Sequence, residues 1–160
     1  MQVFDASSVI YAWDNYPLNQ FPPLWNWMAS EINAKAFLMS KVAFEEVDRK
    51  FPECGTWLKD KGIQRIDVSN DILQEAMRIK RLLGISGDKY HPKGVDEKDI
   101  LIVATARIWK LELVSDEARQ HTLPDKKTKM KIPAVCDLEG VGVPCVSFIE
   151  LIKRSEMVFQ

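Results

Sequence analysis

At 160 residues, with 46% hydrophobic and 28% charged residues, the chain has the size and composition of one globular domain and not of a disordered segment. No run approaches the ~18 consecutive apolar residues of a membrane span, and three cysteines without CxxC spacing do not form a disulfide framework. The formal net charge of −1 neither demands nor forbids a nucleic-acid partner, because acids gathered around divalent ions would offset a basic surface.

The N-terminus, MQVFDASSVIYAW, lacks a basic leader and carries an acid inside its apolar run, so it does not read as a signal peptide. With Cys136 and Cys145 in apolar contexts that suit reduced thiols, this sets the expectation of a cytoplasmic protein without a membrane segment. A first strand, VF, runs into DASSVI; three prolines between Pro17 and Pro23 mark a loop. Leu24 to Asn33 reads as a helix, with Trp25 and Met28 at core spacing, and Ala36 to Ser40 as a buried strand. Ser40 is placed to cap the helix VAFEEVDRKF. A short helix from Thr56 to Lys61 ends at Gly62. Ile63 to Val68 alternates like a strand, and Ser69 opens a helix closed by Gly84. The polar segment SGDKYHPKG precedes a helix from Glu97 to Lys110, for which Asp96 is a plausible cap. Leu111 to Ser115 is a further strand and RQHTLPDKKTKMK a basic loop. The chain closes with a short helix at Pro133 to Leu138, a strand at Val143 to Val146 and a helix at Phe148 to Arg154. Alternation of this kind predicts one three-layer α/β/α domain over residues 1–160, with a mostly parallel sheet of about five strands.

Four acids occupy equivalent places in that pattern. Asp5 ends the first strand, Glu46 lies in the helix after the second, Asp99 lies in the first turn of its helix, and Asp116 follows the strand LELVS. Strand ends and the first turns of the following helices share one rim of a parallel sheet, where ligands bind. Like charges brought together there need cations. An all-oxygen donor set favours Mg²⁺ or Mn²⁺, and such ions promote in-line displacement at phosphorus. Each acid also has a plainer explanation as a turn former or cap. Asp96 and Asp99 together fit a capping arrangement, with Asp99 the better ligand and Asp96 a cap or outlying acid. Glu45 and Glu46 point about 100° apart on their helix, so one of them faces the site, and Glu46 lies beside the apolar face.

VFDASSVI resembles the opening strand of PIN domains, FEEVDRK the segment that carries their glutamate, and DILIVATARIWKLELVSDE their later acid, Ala-Thr-Ala and strand pattern. KIPAVCDLEGVGVPCVSFIELIK is similar to the tail of a PIN-like bacterial and archaeal family whose members often lie beside an antitoxin-type DNA-binding protein. The resemblance covers essentially the whole chain. It implies a Mg²⁺- or Mn²⁺-dependent endoribonuclease, often the VapC-like toxin of a toxin–antitoxin pair, with an RNA substrate, an antitoxin partner and a homodimer as further expectations. By the same resemblance Asp5, Glu46, Asp99 and Asp116 match the acidic, metal-holding positions and Ser7 and Ser115 the polar positions beside them, which are candidates to contact the substrate. Asp96 is an additional acid.

Lys126, Lys127, Lys129 and Lys131 form a basic stretch whose ordinary meaning is a solvated loop. Beside an acidic rim, Lys126, Lys127 and Lys129 are candidates to hold RNA phosphates, and Lys89, His91 and Lys93 weaker ones. His91 and His121 have no partner at metal-ligand spacing. The competing readings are a binding module of the same fold that does not cut, and a DNA nuclease or phosphatase using the same acids.

Overall fold

The computed structural model describes all 160 residues. Five short strands form one sheet: β1 (Gln2–Phe4), β2 (Phe37–Ser40), β3 (Gln64–Ile66), β4 (Glu112–Val114) and β5 (Cys145–Val146). Their order is β3-β2-β1-β4-β5 and every pair is parallel. Eight α-helices connect and cover them: α1 (Ala6–Asn15), α2 (Pro22–Asn33), α3 (Lys41–Lys50), α4 (Pro52–Asp60), α5 (Asn70–Leu82), α6 (Glu97–Trp109), α7 (Ile132–Asp137) and α8 (Phe148–Ser155). This is the α/β/α arrangement with a parallel sheet of five strands that the strand–helix alternation predicts. All four residues of β2 are buried, as are Val3, Phe4, Leu113 and Val114, so both faces of the central strands are covered, as parallel sheets require. Trp25 and Met28 lie in that core.

Helix starts follow the local chemistry. Ser40 caps α3 by accepting the Ala43 N–H, and Ser69 caps α5 through Ile72. Ser147 caps α8 through Glu150. Prolines occupy the first turns of α2, α4 and α7, where a missing N–H costs nothing. Gly62 and Gly84 follow helices α4 and α5 with φ of +77° and +73°, left-handed conformations that glycine adopts without strain. One helix differs from the sequence reading. DASSVI does not extend the first strand; it opens α1, because β1 is only three residues long and the chain turns at Asp5. No helix is long and apolar enough to cross a membrane.

The connectivity sets the site. From β1 the chain moves to β2 and β3 on one side, then returns to place β4 and β5 on the other. Where strand order reverses in this way, the helices that follow neighbouring strands diverge and leave a crevice at the carboxyl ends. Here that place is the carboxyl ends of β1 and β4, just beyond Phe4 and Val114.

Candidate active site

Asp5 stands where β1 gives way to α1. It occupies the N-cap position with extended backbone, yet its carboxylate caps nothing. It is only 3% exposed. The Ser7 and Ser115 hydroxyls both donate to its Oδ2, at 2.5 and 3.0 Å. Ser7 Oγ also accepts the Asp116 N–H at 3.0 Å, and Ser115 Oγ accepts the Glu117 N–H at 3.3 Å. The Ser8 hydroxyl bridges the Asp5 and Val114 carbonyls. The ends of β1 and β4 are thus stitched together around one carboxylate. Ser7 and Ser115, expected beside the substrate, direct their protons at Asp5. Burial pushes Asp5 up to about 6, against the lowering by the Ser7 bond, and the negative charges of Glu117 and Glu46 add to the rise.

Asp99 comes to the same place from α6. Asp96 Oδ1 accepts the Asp99 N–H at 2.9 Å and Asp99 Oδ2 accepts the Asp96 N–H at 3.0 Å, a reciprocal capping box. Each of these acids therefore has one oxygen engaged in starting the helix. Burial is the main reason that Asp99 is pushed up to about 8, followed by the charge of Glu117 and, further down, those of Asp96 and Asp5. Glu46 contributes from α3; its neighbour Glu45 is exposed. Its carboxylate is paired with Lys50 at 2.7 Å, one helical turn on.

The remaining two acids are adjacent and diverge. Glu117, not singled out in the sequence, sends its charge toward both Asp5 and Asp99, while its Oε2 accepts the Ile132 N–H at the start of α7. Asp116 turns the other way. Its two oxygens accept the Phe148 N–H at 3.2 and 3.4 Å, so it sits at the start of α8 with Tyr11 and Tyr16 around Phe148. Burial raises its pKa, the Phe148 N–H lowers it and Glu150 raises it. Asp5 thus feels the charges of Glu117 and Glu46, and Asp99 those of Glu117, Asp96 and Asp5, whereas the Asp116 carboxylate is engaged by the Phe148 N–H. In extended chain, alternate residues face the same way. Ser115 faces Asp5, but β4 ends at Val114 and the chain bends at Glu117, so strand alternation does not separate position 117 from 116 in the sequence.

No lysine, arginine or histidine forms an ion pair with Asp5, Asp96, Asp99, Asp116 or Glu117. These acids are partly desolvated and, Glu46 with its Lys50 apart, have no counter-charge of their own. As the side chains are oriented, no three of His, Cys, Asp or Glu stand close enough to hold one ion. His91 accepts the Lys93 N–H and His121 is exposed.

The basic loop is fixed to this rim. Gln120, three residues past Glu117, donates to the Lys129 carbonyl and accepts the Lys131 N–H. From the other side, Val95 donates to the Met130 carbonyl. A Cβ on Gly94 would lie 1.9 Å from the Thr128 carbonyl oxygen, so only glycine permits that approach. Lys126 and Lys127 are exposed, whereas Lys129 is paired with Asp125 at 3.0 Å.

A family model described as "Domain of unknown function (DUF4411)" matches residues 2–159. No curated protein matches the chain. Among solved structures, a toxin–antitoxin complex from Klebsiella pneumoniae aligns with a TM-score of 0.50 at 16% identity, over 78% of this chain and 93% of that one. VapBC2 from Rickettsia felis, bound to a DNA fragment from their promoter, aligns with a TM-score of 0.52 at 14% identity, over 81% of this chain and 96% of that one. At these identities the likeness is one of fold.

Proposed function

We propose, for a chain that belongs to the DUF4411 family and has a PIN-like fold, that it is a divalent-metal-dependent endoribonuclease and the toxin of a toxin–antitoxin pair. One observation carries the reading: Asp5, 3% exposed, shares its surroundings with Asp99 and Glu117, and no side-chain cation neutralises any of them. Such an arrangement destabilises the fold unless a cation from solution completes it.

Mg²⁺ or Mn²⁺ fits the donor set, which is all carboxylate. Asp5, Asp99 and Glu117 would hold it once their side chains turn toward a common point, joined by Glu46 once that side chain leaves Lys50, with Asp96 keeping Asp99 in place. A bound ion supplies a water of lowered pKa and a positive charge for the developing phosphorane oxygens. Around it the chain's own groups have separable tasks. Ser7 and Ser115 orient Asp5 and, as its hydrogen-bond donors, favour its charged form. Lys126 and Lys127 lie exposed on a loop that Gln120 and Gly94 hold beside the acids, placed to take RNA phosphates while the scissile one approaches the carboxylates. The partners in the two similar solved structures motivate expecting an antitoxin protein here. A homodimer, a single domain over 1–160 and a cytoplasmic site of action complete the reading.

The test is cleavage of a mixed RNA pool with Mg²⁺ or Mn²⁺, against EDTA and the Asp99→Asn variant. Metal-dependent cutting absent from both controls is expected. The Glu46–Lys50 pair favours one alternative, a PIN-like module that binds RNA or protein without cutting. Intact, folded protein that binds RNA but cuts neither RNA, single-stranded DNA nor a small phosphoester under any metal would establish that alternative.

A further inference from the structure

Asp116 and the aromatic residues beside it remain unused by the acid cluster. Its carboxylate touches only the Phe148 N–H, at 3.2 and 3.4 Å, and has no cation partner although it is half-buried. At least one further hydrogen bond per oxygen is open to it. Its position is nonetheless tied to the cluster, because its N–H donates to Ser7, the serine that holds Asp5. Around it, Tyr16 and Tyr11 pack against the buried Phe148 ring with centroids at 6.1 and 6.5 Å, and Phe21 stands edge-on to Tyr16 at 5.4 Å. Phe21 is 41% exposed, an apolar ring facing water, as among the aromatics only Trp109 also is. The loop is not loose. Trp25 Nε1 donates to the Tyr16 carbonyl at 2.7 Å, and Gln20 and Phe21 donate to the Pro17 carbonyl.

An exposed aromatic surface beside an unpaired acceptor, next to a carboxylate cluster, has the chemistry of a nucleobase subsite. Single-stranded RNA is read by stacking unpaired bases on aromatic rings and hydrogen-bonding their Watson–Crick edges. A phosphate would be repelled by Asp116 and a base edge with donors would not. Guanine is the one base whose edge offers two adjacent donors, N1–H and the 2-amino group, to a carboxylate fork. Uracil offers a single N–H flanked by two carbonyls, and adenine and cytosine each set an acceptor beside their amino group. We infer that Asp116, Tyr16 and Phe21 form a subsite that selects guanosine next to the cleaved bond. The inference rests on the endoribonuclease reading for its substrate class.

The test uses the wild-type chain in EDTA and measures its affinity for pentauridylate and for the same oligomer with guanosine, adenosine or cytidine at the centre. The guanosine oligomer should bind roughly tenfold tighter than pentauridylate, and Phe21→Ala should weaken all four by a similar factor. Asp116→Asn retains an acceptor for Phe148 but presents an amide where guanine needs a carboxylate; it should abolish the guanosine advantage while leaving pentauridylate affinity within about twofold. Equal affinity for all four oligomers, no measurable binding of any, or a guanosine preference that survives Asp116→Asn would each overturn the subsite. Failure of the nuclease reading looks different: the guanosine preference stands in EDTA, but Mn²⁺ brings no cutting of any oligomer.

Discussion

The carboxylates at the two ends of β4 are held in opposite ways. Glu112, at its start, is bonded by Arg154 and Gln2, and the Arg154 guanidinium holds its carboxyl below the usual range. Nearby, Glu75 accepts from Arg78 and Arg107, and is likewise lowered, first by Arg78. Together they line an open cavity of about 470 Å³ at the amino-terminal edge of the sheet. At the carboxyl-terminal edge, Asp5, Asp99 and Glu117 have no such partner, and Asp5 and Asp99 are raised to about 6 and 8. Acids at the first edge are complete within the chain and contribute stability. Those at the second are unpaired within the chain, and their charge is a standing cost that a proton or an external cation would relieve. A chain with 22 basic side chains had the means to neutralise them. The contrast places chemistry at one edge and cohesion at the other.

The largest break in that contrast is removal of a cluster acid. Asp5→Asn or Asp99→Asn should lower RNA cleavage at least about a hundredfold, since loss of even an outer partner costs 10–100-fold at metal sites. The same variants should melt no lower than wild type in EDTA, because they remove a desolvated charge. A loss of cleavage accompanied by unfolding would not support the account. The adjacent pair sharpens it: Glu117→Gln should fall about as far as Asp99→Asn on a mixed RNA pool, whereas Asp116→Asn should lose less than about tenfold. The reverse order would put Asp116 back in the cluster.

Acidity offers a third test. Asp5 and Asp99 bind protons more tightly in the folded than in the unfolded chain, whose carboxyl groups titrate near 3.8. Their contribution is therefore fully favourable below that value and is lost as pH rises through about 6 and 8. Metal-free protein should melt on the order of 5 °C lower at pH 8.5 than at pH 5, and Asp99→Asn should flatten most of that slope. A melting temperature that rises across the window would contradict it. The smallest effect belongs to the other edge. Arg107→Ala should cost roughly 1–2 kcal/mol in urea unfolding, reduced by the partial exposure of the pair, with cleavage unchanged.

Much of this organisation is legible in the sequence. Ser40, Ser69 and Asp96 announce helix starts, Gly62 and Gly84 announce helix ends, and strand–helix alternation implies the parallel sheet. Three features are not. The first helix begins immediately after a three-residue strand, too little alternation to separate from the apolar run DASSVI. Neighbouring acids in FEEV and VSDE are ambiguous for the same reason, that orientation depends on a rotation no composition reveals. On α3 the apolar face favours Glu46 over Glu45, whereas beyond β4, where the chain leaves the strand, no periodicity separates Asp116 from Glu117. Finally, Ser7 and Ser115 look like substrate contacts in sequence, but their donors converge on Asp5 across two strands that are 110 residues apart.

The most direct test of an uncompensated cluster is the melting temperature of the wild-type chain and of Asp99→Asn with and without Mn²⁺ at pH 8 and pH 6. Saturating Mn²⁺ at about a hundred times its Kd stabilises a one-site protein by about 2.7 kcal/mol, a rise of roughly 5–10 °C for a chain of this size. The account predicts that rise in wild type at pH 8, a smaller one at pH 6 where protons compete for the same oxygens, and none in Asp99→Asn. A wild-type melting temperature unmoved by Mn²⁺ at pH 8, or moved equally in Asp99→Asn, would contradict it.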